Sequence, residues 1–304
     1  PTVSSAAAAA SSAEVQGPSA QEESTDTSAA SDSSEASGSK DSSSSTQEEG
    51  TLSPSSGSTF TDNSDSSMDN LLNQVQSLLP TDNGTWSVYV CNLAKNTEGT
   101  INDQQMQAAS LIKLYIMGAV YEDYDSLSSK YSKDQLDNAL NSMITVSDND
   151  AANTLTTYLG GGDSAAGMQA VNSFCQAHGY DQTHMGRMLL ASNENDDNYT
   201  SVGDCGHLLQ EIYKQDTSGY THAADMFNLL KAQTRCNKIP AQLPEGIKTA
   251  NKTGELDNVE NDAGIIYDSK NDVVIVFMSQ NLSSAGSAQN TIATLSRTIY
   301  DYYN

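Results

Sequence analysis

Positive charge is scarce in this chain. Its 304 residues hold 14 Lys and Arg against 39 Asp and Glu, a net charge of −25 at neutral pH. A body this acidic repels nucleic-acid backbones and anionic membrane surfaces, which argues against both as partners. No run of 18 apolar residues occurs, so no transmembrane segment is expected. The first residues, "PTVSSAAAAASSAEV", lack the positive n-region of an intact signal peptide. Cysteine is limited to Cys91, Cys175, Cys205 and Cys236, with no C-x-x-C pair and no His at metal-ligand intervals. The usual zinc and redox motifs are thereby missing, and no metal site is expected. The thiols are either unpaired and buried or include one bridge. A bridge would join Cys205 to Cys236, each at the end of a predicted helix. The four histidines, His178, His184, His207 and His222, fall in helical segments or their loops. None accompanies a Ser or Cys motif, so a Ser-His-Asp triad is not expected.

Aromatic residues are nearly absent from the first 66 positions, where Phe60 stands alone beside 22 Ser, 11 Asp or Glu and one Lys. Such a stretch cannot bury enough apolar surface to offset the entropy of ordering it, so residues 1–66 read as a disordered Ser/Ala/acidic tether. Residues 67–304 carry the periodicity of a folded domain, long enough for one large unit or two intimately packed ones.

Within that domain, "SSMDNLLNQVQSLLP" (66–80) follows helical spacing and stops at Pro80, and "TWSVYVCNLA" (85–94) alternates like a strand. "KNTEGT" is expected to turn the chain back. Helices are predicted at 110–121, at 132–144 with Ser132 as cap, at 151–160 behind an Asp150 cap, and at 164–179, 200–214 and 223–234. Three strands follow, "NKTGEL", "ENDAGIIYD" and "NDVVIVFMSQN", and "SAQNTIATLSRTIYDYYN" closes the chain as a helix. The pattern predicts an α+β fold in three α/β/α layers: an antiparallel sheet flanked by helices, with the helical middle block as a second lobe.

Three short motifs occur in order: Ser110-x-x-Lys113, Ser147-Asp148-Asn149 and Lys252-Thr253-Gly254. Alone, each is weak, since a given tripeptide arises by chance in a chain of this length about once in 25. Together they fit one chemistry. Ser110 stands at a helix start, where backbone N–H groups and the dipole favour a developing oxyanion. Lys113 lies one turn on, among Leu, Ile, Tyr and Met. Apolar surroundings lower an amine's pKa and leave neutral base to take the serine proton. Gly254 permits close backbone approach.

The trio and its flanks, "SDNDAANTL", "NKTGEL" and "ENDAGIIYD", resemble the serine β-lactamases of class A and the penicillin-binding proteins, over about residues 67–304. The resemblance implies an exported bacterial acyl-transfer enzyme of β-lactamase/transpeptidase-like fold. It would be secreted or held at the cell envelope by the N-terminal tether, monomeric, without cofactor, acting on a β-lactam or a cell-wall-like acyl donor. Ser110 would be the nucleophile, Lys113 its base, and Ser147 the proton shuttle to the leaving nitrogen. Asn149 would hold the substrate amide, Lys252 supply positive potential and Thr253 contact the substrate carboxylate. The oxyanion hole would be the backbone amides of Ser110 and Glu255, the residue after Gly254.

Two positions depart from the class A pattern. In "RMLLASN" (187–193) Leu189 stands where class A enzymes place the glutamate that activates the deacylating water. Loss of a general base costs about 10²- to 10⁴-fold in its step. Glu194 is near in sequence, but nothing in the sequence sets its carboxylate over Ser110. Glu260 occupies the place of an Arg that pairs with the substrate carboxylate in many class A enzymes, and would repel an anion unless its side chain points away. Three readings follow: a turning-over hydrolase, a penicillin-binding or sensing module that stays acylated, and an interaction domain with relic motifs. Leu189 favours the second over the first, and the intact motifs argue against the third.

Overall fold

The computed structural model describes residues 64–304; the expected tether lies almost wholly outside the described residues. Helix α1 (Ser66–Leu78) is capped by Asp65, whose Oδ1 accepts the Met68 amide at 2.8 Å, and buries Met68, Leu71 and Val75. Two antiparallel strands follow, β1 (Thr85–Asn92) and β2 (Thr97–Ile101). The expected turn "KNTEGT" is therefore only half turn. The reversal occupies residues 93–96, with Asn96 at φ 54°, and Thr97 onward is strand.

Strands β3 (Met106–Gln107), β4 (His184–Met185) and β5 (Asn198–Thr200) form a small separate sheet. The helices between are α2 (Ile112–Glu122), α3 (Tyr124–Tyr131), α4 (Lys133–Thr145), α5 (Asn149–Leu159) and α6 (Ser164–Ala177). After β5 come α7 (Val202–Tyr213), α8 (Ala223–Lys231), then β6 (Lys248–Leu256), β7 (Val259–Tyr267), β8 (Val273–Gln280) and α9 (Ala285–Tyr303). The main sheet is antiparallel throughout, in the order β2-β1-β8-β7-β6.

Strand period two divides this sheet between two cores. Val273, Ile275 and Phe277 of β8 face α1 and α9, packing with Val75, Ile292 and Leu295. Val274, Val276 and Met278 face the opposite way, toward α2 and α7. Burial on both faces explains why "VVIVFM" runs apolar without alternation. Three layers result, as expected from the sequence. Helix α2 is the axis of the helical side: every residue from Ile112 to Tyr121 is buried, Lys113 included.

Ser132 caps α4 as expected, accepting the Gln135 amide. Asp150 does not cap α5. Asp148 does, its Oδ1 accepting the Ala151 amide at 2.7 Å, and the helix begins two residues earlier than expected, at Asn149. Cys205 and Cys236 are not bridged: all four cysteines are free, Cys205 buried under Tyr115 and Thr200 and Cys236 exposed. The C-terminal Tyr303 packs into the α1/α9 core.

Candidate active site

Ser110 lies on a single 3-10 turn (Ala109–Leu111) that leads into α2, and Ala109 before it takes φ 47°. A left-handed alanine stores strain on the order of 1–2 kcal/mol, which surrounding contacts must hold. Those contacts come from β6 and β7. A Cβ built on Gly254 would lie 2.9 Å from the Ala108 carbonyl oxygen and 3.2 Å from the Ser110 amide nitrogen, so β6 seats against the turn only because position 254 has no side chain. From β7, Asn261 Nδ2 donates to the carbonyls of Gln107 at 2.9 Å and Ala108 at 3.2 Å.

Lys113 reaches back from the first turn of α2. Its Nζ lies 3.0 Å from Ser110 Oγ, 3.1 Å from Ser147 Oγ, and 2.7 Å from both the Ser147 carbonyl and Asn149 Oδ1. Burial, with Arg235 nearby and against a smaller opposite pull from Asp148, lowers its pKa to about 8. Ser147, at φ 62° between α4 and α5, is met from the other side by Lys252 of β6, whose Nζ donates to Ser147 Oγ at 2.9 Å and to the Thr253 carbonyl at 2.7 Å. Burial first, then the charges of Lys113 and Arg235, push the Lys252 pKa well down. Two buried amines thus converge on one hydroxyl.

Ser110, Ser147, Asn149, Thr253 and Glu255 share a polar cavity of about 240 Å³. A sixth residue of that lining, Arg235, carries no motif and was not foreseen. It follows α8 in a loop, and its guanidinium donates to Glu255 Oε2 at 2.7 Å. A second cavity of about 330 Å³ also opens on Ser110 and is lined by Leu189, Leu190 and Leu256. Leu189 is held through its main chain: its amide donates to Asn153 Oδ1 at 2.8 Å and its carbonyl accepts from Asn153 Nδ2 at 3.0 Å. Asn153 went unforeseen too, although it stands one turn after Asn149 on α5. Glu194 is exposed and outside the lining of both cavities.

Glu260 does not face the site. It is buried, its Oε2 2.6 Å from Lys238 Nζ and its Oε1 accepting from Gln289. The expected repulsion of an anion is therefore averted by an internal ion pair. No histidine lines either cavity; His178, His184 and His222 pair with Glu122, Asp196 and Asp225. A larger cavity of about 410 Å³, among Tyr121, Tyr124 and His222, holds none of the motif residues. Among the described residues no group of three His, Cys, Asp or Glu is placed to hold a metal ion.

The sequence pattern of the β-lactamase enzyme family matches residues 70–136 and 126–303. The chain belongs to that family. No curated protein matches it. Among solved structures it is similar to PBP-A, at 23% identity and TM-score 0.67, over 76% of this chain and 95% of that one. A leucine-to-glutamate variant of PBP-A, in acyl-enzyme complex with penicillin G, matches at 22% identity and TM-score 0.66, over 77% and 96%. An ancestral class A β-lactamase matches at 20% and TM-score 0.66, over 76% and 99%. The fold of this β-lactamase-family chain is thus the β-lactamase/transpeptidase-like fold, and membership supports a serine hydrolase-type enzyme acting on small acyl substrates. No helix among the described residues is long and apolar enough to cross a membrane.

Proposed function

We propose that this protein is a serine acyl-transfer enzyme that forms an acyl-enzyme at Ser110 on a β-lactam or related amide or ester. The observation that carries the reading is the 3.0 Å approach of the buried Lys113 amine to Ser110 Oγ. A neutral amine has two N–H donors and one lone pair. Directed at the Ser147 carbonyl and Asn149 Oδ1, both acceptors at 2.7 Å, the two donors leave the lone pair for the Ser110 proton. Ser110 Oγ then attacks the acyl carbon, and the backbone amides of Ser110 and Glu255 receive the oxyanion. The proton passes from Lys113 to Ser147, which lies between both amines, and on to the leaving nitrogen. Asn149 would hold the substrate amide. Lys252 would add positive potential and Thr253 would meet a substrate carboxylate, beside Gly254.

A second reading, a penicillin-binding or sensing module, is favoured by Leu189. An apolar side chain lines the Ser110 cavity where a general base would activate water. Acylation proceeds without that base and deacylation is slowed. Residues 67–304 would be the catalytic domain of a bacterial protein, secreted or held at the envelope by residues 1–66, and monomeric.

Intact mass after incubation with penicillin G, followed over minutes to hours alongside ring opening, tests both readings. A transient adduct with turnover marks a hydrolase, and a lasting one a binder. Ser110→Ala is expected to abolish the adduct; an adduct persisting in that variant removes Ser110 from the nucleophile role. Leu189→Glu is expected to shorten adduct lifetime by about 10²-fold or more, the usual worth of a general base. An unchanged lifetime would place the deacylating position elsewhere.

A further inference from the structure

The end of β6 beside Ser110 contains a charge conflict. Glu255 stands directly opposite Glu260 in the β6–β7 pairing, with only the pair Leu256 and Val259 between them and the turn at 257–258. Like charges directly opposite on neighbouring strands are destabilising, and Glu260 is buried, so its carboxylate has no solvent to turn into. Strand β6 is also an edge of the main sheet. No further strand holds its end in place from the other side.

Lys238 resolves the conflict. Its side chain is fully buried, and its Nζ lies 2.6 Å from Glu260 Oε2 and 3.0 Å from Glu255 Oε1. The loop that carries it is itself fixed: the Ile239 amide donates to Asp262 Oδ2 at 2.9 Å, and the Ile239 carbonyl accepts from Ser296 Oγ of α9 at 2.9 Å. Arg235, from the same loop, holds the other Glu255 oxygen, Oε2, at 2.7 Å. Burial works to raise the Glu255 pKa, but Lys238 and then Arg235 outweigh it and hold the carboxyl below its ordinary range. The Glu255 side chain is therefore an ionised anchor gripped at both oxygens. One residue before it, Gly254 seats β6 against the Ser110 turn. A shift of the anchor is a shift of the main chain next to the nucleophile.

We propose that Lys238 is a positioning residue for acyl transfer: by clamping Glu255 to Glu260 it fixes the Glu255 backbone amide where the oxyanion forms. The proposal rests on the reading of Ser110 as nucleophile, and the test separates the two. The oxyanion exists only as the new bond forms, so a misplaced donor slows that step and leaves binding of the intact substrate alone.

Adduct formation with penicillin G, timed by quenched intact mass over a range of concentrations, gives the first-order acylation constant apart from the affinity. Lys238→Met should lower the first-order constant at least about ten-fold, short of the roughly 10²- to 10³-fold that follows outright loss of a donor. Affinity, read by calorimetry on the Ser110→Ala background, should stay within about three-fold. Glu255→Ala keeps the backbone amide and leaves the buried Lys238–Glu260 pair intact, so it tests the same clamp should Lys238→Met fail to fold, and it should show the same split. The double variant Lys238→Met/Glu255→Ala should lose no more acylation than Glu255→Ala alone, because both changes open one clamp, whereas unrelated lesions multiply. An unchanged first-order constant in either folded single variant overturns the positioning role. So does a loss carried by affinity, or a multiplied loss in the double variant. A parent protein that forms no adduct removes the nucleophile reading and the positioning role with it, whereas an acylated parent matched by its variants sinks the positioning role alone.

Discussion

Lys113 is a charged side chain type placed where charge is disfavoured. Desolvation is the largest contribution, and the distances set what the amine can do: four acceptors within 3.1 Å exceed the three protons of an ammonium. With its pKa lowered to about 8, the neutral fraction grows as pH rises. Adduct formation is therefore expected to accelerate from pH 6 and level off above about pH 8, read as the second-order acylation constant against pH. Lys113→Arg, a guanidinium that stays protonated, should lose about 10²- to 10⁴-fold and flatten that profile. A profile with the same rise in the variant would assign the base elsewhere.

At the scale of elements, the site depends on how closely β6 seats against the 3-10 turn. Gly254→Ala places a methyl group 2.9 Å from a backbone carbonyl that cannot swing aside. Overpacking of this kind costs about 1–3 kcal/mol, so acylation should fall at least about ten-fold while circular dichroism stays native. Asp148→Ala removes the α5 cap and should cost about 1 kcal/mol, or about 2–4 °C in melting temperature for a domain of this size. Much of this architecture was legible beforehand. Long periodic segments announced α1, α4, α6 to α9 and the β6–β8 meander, and the three motifs, far apart in sequence, do converge through Ser110 and Lys113, Ser147, and Lys252. What was not legible has physical reasons. Helix α3, "YDSLSSKY", buries only Tyr124 and Leu127, too little apolar surface to show a period. Strand β2 is short and half polar. Arg235, Asn153 and Asn261 act through distances that no local motif encodes.

Across the whole molecule, buried carboxylates set an unusual acid response. Burial raises the pKa values of Asp204 and Asp262 to about 6, against partly offsetting hydrogen bonds, including those from Thr183 and Asn251 respectively. A group whose folded pKa lies above its unfolded value binds the proton more tightly when folded. Its contribution is present below the unfolded pKa near 4 and is lost as pH rises through about 6. Asp204→Asn removes one such contribution, so the variant's melting temperature relative to the parent should be higher at pH 7 than at pH 4.5. An equal difference at both pH values would contradict the raised pKa. Lastly, the main chain of Leu189 is fastened at both its amide and its carbonyl to the side-chain amide of Asn153. Replacing the Leu189 side chain breaks neither bond, so a carboxylate at this station would ride on the same frame, and under the acyl-enzyme reading one codon separates a long-lived receptor from a recycling catalyst.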